Sequence, residues 1–318
     1  MVDIIPPIDR QIIKSELTAE KLIRPTNKGN NQIYIITAHD SPYIMREIGR
    51  LRELSFRSSG GGTGTEIDID EFDYIDNPYQ QLIVWDPSHE EILGGYRFIH
   101  GKDMTFDGEG QPNIVTSHMF HFSERFINQY LPYTIDLGRA FVQPDYQSSK
   151  MGAKSLFALD NLWDGLGALP GLIPETRYLI GKVTTYPDFD EQSREMILYF
   201  MYRYFPDNEH LLITKEPISI TSNKDELDAY FNGNDFEENY KKLNSAVRHR
   251  GYNIPPLINA YISLSPTMKT FGTGINHEFA NIFDTGIMIT IADIFEEKKK
   301  RYIEPYLEYR QQIFGPVL

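Results

Sequence analysis

Residues 133–144 read Tyr-Thr-Ile-Asp-Leu-Gly-Arg-Ala-Phe-Val-Gln-Pro and place an acid, Asp136, three positions before a base, Arg139, inside an apolar run. Ile135, Leu137 and Phe141 are strand formers, and Pro132 and Pro144 close the run at either end. A charge inside such a strand is costly unless it is paired or used. One use is a carboxylate that takes a proton from a nucleophile while the guanidinium holds a substrate group. A structural ion pair is the plainer alternative. Side-chain alternation sets Asp136 and Arg139 on opposite faces unless a bulge intervenes, and Gly138 between them would tolerate one.

Other constellations offer less chemistry. The Gly-Gly-Gly-Thr-Gly stretch at 60–64 imitates a phosphate-binding loop, but no Lys-Ser or Lys-Thr follows and it trails a helix instead of a strand. The acidic run Glu66, Asp68, Asp70, Glu71, Asp73 and Asp76 lacks the spacing and the glycine of a calcium loop. His118 and His121 have no third ligand nearby, so local packing explains them. Lys298-Lys299-Lys300-Arg301 reads as a solvated helix face.

The elements that must position Asp136 and Arg139 follow from periodicity. Residues 32–37 form a strand. A helix starts at Ser41-Pro42, with Ser41 as N-cap, and runs through Ile44, Ile48, Leu51 and Phe56. Residues 81–86 and 91–100 make an antiparallel hairpin around Pro87-Ser88-His89-Glu90. After the strand at 133–144 come a helix at 153–169, a strand at 178–185, a second amphipathic helix at 190–204 and a charged helical region around 225–247. Residues 257–264 and 286–291 read as a late strand pair, and 296–309 as a charged helix. A short helix near 12–22 lies in a polar arm. The result is an α/β pattern with a mixed sheet and no strict βαβ repeat. Its strand, glycine-containing turn and helix at 142–156 form a natural anion site.

Composition narrows the function. The 318 residues carry a formal net charge of −14, which argues against general nucleic-acid binding. Cys is absent, so there is no disulfide framework, thiolate zinc site or cysteine nucleophile. No apolar run is long enough to span a bilayer, and residues 1–9 have no signal-peptide core. A cytoplasmic protein, with peripheral contact to the inner membrane as an option, is the expectation.

This order of elements resembles the GNAT acyltransferase fold, a mixed, mostly antiparallel central sheet flanked by helices. In that fold the turn after the fourth strand carries an Arg/Gln-x-x-Gly-x-Gly/Ala loop that cradles the phosphates of an acyl-pantetheine carrier. Gln147 matches its first position and Gly152 its last, while Lys150 stands where the middle glycine belongs. Within the fold, the chain is similar to the group that holds acyl-homoserine-lactone synthases and the ornithine- and glycine-lipid N-acyltransferases, also called haemolysin-like. Arg52 and Phe56 match an Arg-x-x-x-Phe in the first helix, and Asp70-Glu71-Phe72-Asp73 an Asp-x-x-Asp block. Gly94-Gly95-Tyr96-Arg97 matches Gly-x-Tyr-Arg in the third strand, and Asp136-x-x-Arg139 a Glu-x-x-Arg with Asp in place of the usual Glu. Leu137-Gly138-Arg139, Leu162-Trp163, Ile254-Pro255-Pro256-Leu257 and Asp284-Thr285-Gly286-Ile287-Met288 point to the lipid-forming branch.

The resemblance implies an N-acyltransferase that moves a long, 3-hydroxylated acyl chain from acyl carrier protein to the amine of ornithine or glycine, giving a lyso-amino-acid lipid. An acyl-homoserine-lactone-like synthase, an acetyl-CoA-dependent acetyltransferase and a non-enzymatic membrane-active protein are the rivals. Asp136 and Arg139 would be catalytic. Arg52, Phe56, Asp70, Asp73 and Arg97 would bind substrate, the three arginines forming a buried network with Asp70 and Asp73. Phe141, Val142, Gln147, Lys150 and Gly152 would hold the phosphopantetheine of acyl carrier protein, or of acyl-CoA. A backbone amide of the fourth strand would serve the oxyanion. No metal and no permanently bound cofactor is required. Lys150 and Lys154, with Arg177 and Lys182 nearby, would receive the acidic carrier protein. Residues 1–30 would be an N-terminal arm, 31–215 the GNAT-like core, and 216–318 a C-terminal part that completes the sheet with helical additions.

Overall fold

A computed structural model describes residues 2–147 and 153–315. In chain order the strands are β1 (Leu22–Pro25), β2 (Gln32–Ile36), β3 (Gln80–Asp86), β4 (Glu91–His100), β5 (Phe120–Phe122), β6 (Thr134–Val142), β7 (Tyr178–Thr185), β8 (Leu212–Thr214), β9 (Lys269–Asn276) and β10 (Ile282–Thr290). The helices are α1 (Arg10–Glu16), α2 (Pro42–Ser58), α3 (Glu124–Gln129), α4 (Ala153–Leu172), α5 (Glu191–Tyr204), α6 (Lys224–Tyr230), α7 (Phe236–His249), α8 (Pro256–Ile262), α9 (Glu296–Lys298) and α10 (Glu304–Phe314). Among the described residues, one sheet runs in the order β1-β2-β3-β4-β6-β7-β10-β9, and β5 and β8 form a separate pair. Only β6 and β7 are parallel in the large sheet; its other pairings are antiparallel. This is the mixed, mostly antiparallel sheet that the resemblance to the GNAT fold implies. Residues 22–25 form one edge of it, and β9, paired to β10, the other.

Alternation along the strands gives each face its own core. Leu82, Val84, Tyr96, Phe98, Ile135, Leu137, Leu179 and Val183 face α4, α5, α7 and α8. Tyr34, Ile83 and Trp85 face α2 on the opposite side, and Ile99, Ile180 and Met288 face the β5–β8 layer. Gly94 is required by a close approach: a Cβ there would lie 2.5 Å from the Phe141 carbonyl oxygen.

Three local expectations need correction. Residues 257–262 lie in α8 and 263–264 in the turn after it instead of in a strand, because Pro256 opens a helix whose Ile258, Tyr261 and Ile262 share one buried side. The partner of β10 is therefore β9, a glycine-interrupted Lys-Thr-Phe-Gly-Thr-Gly-Ile-Asn segment whose weak pattern hides its strand character. The Ser41 side chain does not cap α2. The Glu16 carboxylate of α1 does so, accepting from the amides of Tyr43 at 3.2 Å and Ile44 at 2.8 Å. No described helix is long and apolar enough to cross a membrane.

Candidate active site

The β6–β7 seam creates the site. Its parallel pairing runs from Thr134↔Tyr178 to Leu137↔Gly181 and stops there, although β6 continues to Val142 and β7 to Thr185. The diverging ends open a cavity of about 500 Å³ through the sheet. Leu137, Leu159, Leu162, Pro256 and Leu257 make one part of its wall apolar. Arg139, Lys182, Thr184, Asn276 and Asp284 make another part polar, with Phe56, Tyr186 and Phe279 beside them.

A bulge in β6 lies on this wall. Gly95 pairs with Phe141 and Arg97 with Gly138, so β6 holds one extra residue over that interval. The bulge falls on Arg139, not Gly138, and Arg139 takes a left-handed φ of 49°. The extra residue turns Arg139 to the face that carries Arg97, and both guanidinium groups reach Asp70, at 3.6 Å and 2.7 Å respectively. Arg139 Nε also stands 2.9 Å from Asp68, and its guanidinium lies over the Phe279 ring.

Behind the wall is a buried charge network. Arg52 pairs with Asp73 at 3.2 Å, and Arg97 with the same carboxylate at 3.3 Å. Gln81 bridges the two by accepting from Arg52 and donating to Asp73. Asp70 and Asp73 cap a short 3-10 turn between them. Burial pushes the Asp70 carboxyl up, but Arg97 overcomes that push and holds it at about 2. Arg52, Asp70, Asp73 and Arg97 thus form the expected ion-pair network with Arg139, and of these five only Arg139 lines the cavity.

Asp136, the expected base, does not line the cavity. Its side chain is fully buried, with the Tyr79 hydroxyl donating to one oxygen at 2.5 Å and the Thr116 hydroxyl to the other at 2.7 Å. Burial raises its carboxyl, opposed by those two hydrogen bonds. The carboxylate is thus set back behind the cavity wall.

The other expected site residues divide similarly. Phe56, Phe141, Val142 and Gln147 line the cavity. Gln147 donates to the Val142 carbonyl at 2.6 Å and so fixes the end of β6. Lys150 and Gly152 lie outside the described residues. Lys182, expected near a docking surface, instead points into the cavity beside Asp284. Arg177 stacks on Tyr133. His118 pairs with Glu278 at 3.0 Å.

The sequence reading missed the polar wall formed by Thr184, Asn276 and Asp284 and misplaced Lys182. A signal existed: Lys182 and Asp284 each interrupt an otherwise apolar or small-residue strand, as Asp136 does. Among the described residues, no group of three or more His, Asp or Glu side chains is placed to hold a metal ion.

Residues 51–156 match the acetyltransferase (GNAT) domain family. The chain is 54% identical over 308 residues to a glycine N(alpha)-acyltransferase of Bacteroides thetaiotaomicron, covering 97% of this chain and 91% of that protein. It is 53% identical over 308 residues to a glycine N(alpha)-acyltransferase of Phocaeicola vulgatus, covering 97% and 94%. Among solved structures, FeeM, an N-acyl amino acid synthase from uncultured soil microbes, aligns with a TM-score of 0.38 at 9% identity over 87% of this chain and 97% of that one.

Proposed function

We propose, because the chain belongs to the family of glycine Nα-acyltransferases, that it joins a long acyl chain to the α-amine of glycine, taking the acyl group from a phosphopantetheine thioester. The observation that carries this reading is the cavity between the diverging ends of β6 and β7, with an apolar wall and a polar wall. A thioester donor suits the apolar side, where Leu137, Leu159, Leu162 and Leu257 offer burial to an alkyl chain. A small zwitterion suits the polar side.

The chemistry balances without a covalent enzyme intermediate. The neutral amine attacks the thioester carbonyl carbon, the C–N bond forms and the C–S bond breaks. The thiolate leaves and takes up one proton, and a base removes the proton that the amine loses. The carbonyl oxygen becomes negative on the way and needs a fixed donor. The β6 bulge at Arg139 frees backbone from the β4–β6 ladder beside the cavity and is our candidate for that donor. The Arg52–Asp73–Arg97–Asp70 network holds Arg139, and with it the bulge, in place. Asp136 is a positioning residue: it receives Tyr79, on whose ring the Arg97 guanidinium rests.

We take acyl carrier protein as the donor, on the strength of Lys150 replacing a loop glycine that the coenzyme A form of the motif carries. The test supplies purified protein with isotopically labelled glycine or ornithine and with acyl donors of several lengths. Mass spectrometry should find labelled N-acylglycine with a long chain. Absence of that product with every donor would remove the reading.

A further inference from the structure

We infer that Lys182 and Asp284 are the acceptor pair, Lys182 receiving the carboxylate of the amino acid and Asp284 its amine and the proton it gives up. The inference rests on the acyltransferase reading above and names the residues it leaves unassigned.

The sheet order β6-β7-β10 brings these groups together. Lys182 and Thr184 alternate onto the same face of β7, and Thr184 pairs directly with Asp284 of β10. Both charged groups line the cavity, with side-chain exposures of only 14% for Lys182 and 4% for Asp284. Asp284 is held from two sides: Thr184 Oγ1 donates to one oxygen at 2.6 Å and Asn276 Nδ2 to the other at 3.0 Å. Two donors leave a carboxylate with spare acceptor sites, which an ammonium or amine can occupy.

Lys182 is the less satisfied partner. Its Nζ lies 3.8 Å from Asp284, too far for a hydrogen bond, and it makes none among the described residues. A half-buried ammonium with three donors and no protein hydrogen bond has donors to offer a ligand in the cavity. Arg139, the other cation on the wall, is already engaged by Asp68 and Asp70. Among the described residues, the ammonium on the cavity wall that is available to an anionic ligand is therefore that of Lys182. Burial lowers its pKa, opposed chiefly by Asp284, which fits a cation that a carboxylate ligand would complete. A glycine zwitterion set between the two groups alternates charge around a closed ring: Lys182 ammonium, glycine carboxylate, glycine ammonium, Asp284 carboxylate; the ammonium gives up one proton to become the nucleophile and a second as the C–N bond forms. Asp284 then touches the nitrogen that must lose a proton before or during attack, and water in the cavity can carry that proton away.

The test compares glycine with glycinamide, which keeps the amine and lacks the carboxylate. The wild type should favour glycine. Lys182→Gln should raise the KM for glycine by about tenfold to a hundredfold, the scale of a lost charge-assisted hydrogen bond, and leave glycinamide nearly unchanged. Lys182→Arg should restore much of the preference. In the wild type, glycolate should compete with glycine and glycolamide should not, a readout that needs no variant to fold. Unchanged discrimination in folded Lys182→Gln, or equal inhibition by glycolate and glycolamide, overturns the assignment. Failure of the wild type to acylate glycine would overturn the acyltransferase reading as well, so the two failures are distinguishable.

Discussion

Asp136 on β6 and Asp284 on β10 flank the same strand, β7, and only Asp284 opens onto the cavity. Asp136 has one hydroxyl donor on each oxygen and no exposed surface to offer. Asp284 faces the space where β6 and β7 part. Two buried carboxylates on the strands either side of β7 thus meet different environments, one enclosed by two hydroxyls and one facing the cavity.

The charge network behind the wall should matter first to stability. Arg97 is fully buried between Asp70 and Asp73. Arg97→Met leaves both carboxylates without that cation and should cost about 3–5 kcal/mol. Urea unfolding of the variant against the wild type measures this, and a loss under about 1 kcal/mol would show the pairing to be incidental.

Acid should expose the same network. The Asp70 carboxyl has an ordinary value of 3.8 and lies at about 2 in the folded chain. The unfolded chain therefore binds that proton more readily, and the stability Asp70 contributes is complete above about pH 4 and lost as the pH falls toward about 2. Asp68 and Asp136 shift upward with burial, so acid relieves their cost and works in the opposite direction, beginning at higher pH. Asp70→Asn should flatten the fall in unfolding free energy between about pH 4 and pH 2, measured by denaturant titration at fixed ionic strength. A variant curve parallel to the wild type would show that Asp70 is not linked to acid unfolding.

Chain length should respond to the apolar wall. Leu159 of α4 is only partly buried and lines the cavity. Leu159→Trp reduces the space available to an alkyl chain and should shift the product distribution toward shorter acylglycines, read by mass spectrometry with a mixture of donors. An unchanged distribution would place the chain along another wall.

The donor should be distinguished by its carrier. At matched chain length, acyl carrier protein should give a higher kcat/KM than acyl-CoA by at least about tenfold. Equal efficiency would remove the carrier protein from the account.

How much of this could be read beforehand depends on the range of the interaction. The alternating runs at 32–37 and 81–100 carry their strand character locally, and the charged strand at 133–144 stands out by the cost of its own charges. The sequence allows a bulge in β6 and points to Gly138, because glycine bears the conformation most easily; tertiary pairing with Asp68 and Asp70 holds Arg139 there instead. Lys182 and Asp284 each stand out as a charge in an otherwise apolar or small-residue strand, but their pairing across 102 positions of sequence is set by the sheet order and is not local. The short apolar run at 257–264 fits either period, and Pro255-Pro256 decides it by opening a helix. Asp136 draws the role of base because it is the acid in the most apolar strand, and tertiary packing sets it behind the cavity wall.

The most direct measurement compares Asp284→Asn with Asp136→Asn, both confirmed folded, in single-turnover acylation of glycine at saturating donor. If Asp284 meets the amine, Asp284→Asn should slow the chemical step by about a hundredfold or more, while Asp136→Asn should slow it by less than about tenfold. The reverse order, with Asp136→Asn crippling turnover and Asp284→Asn leaving it intact, would contradict the account.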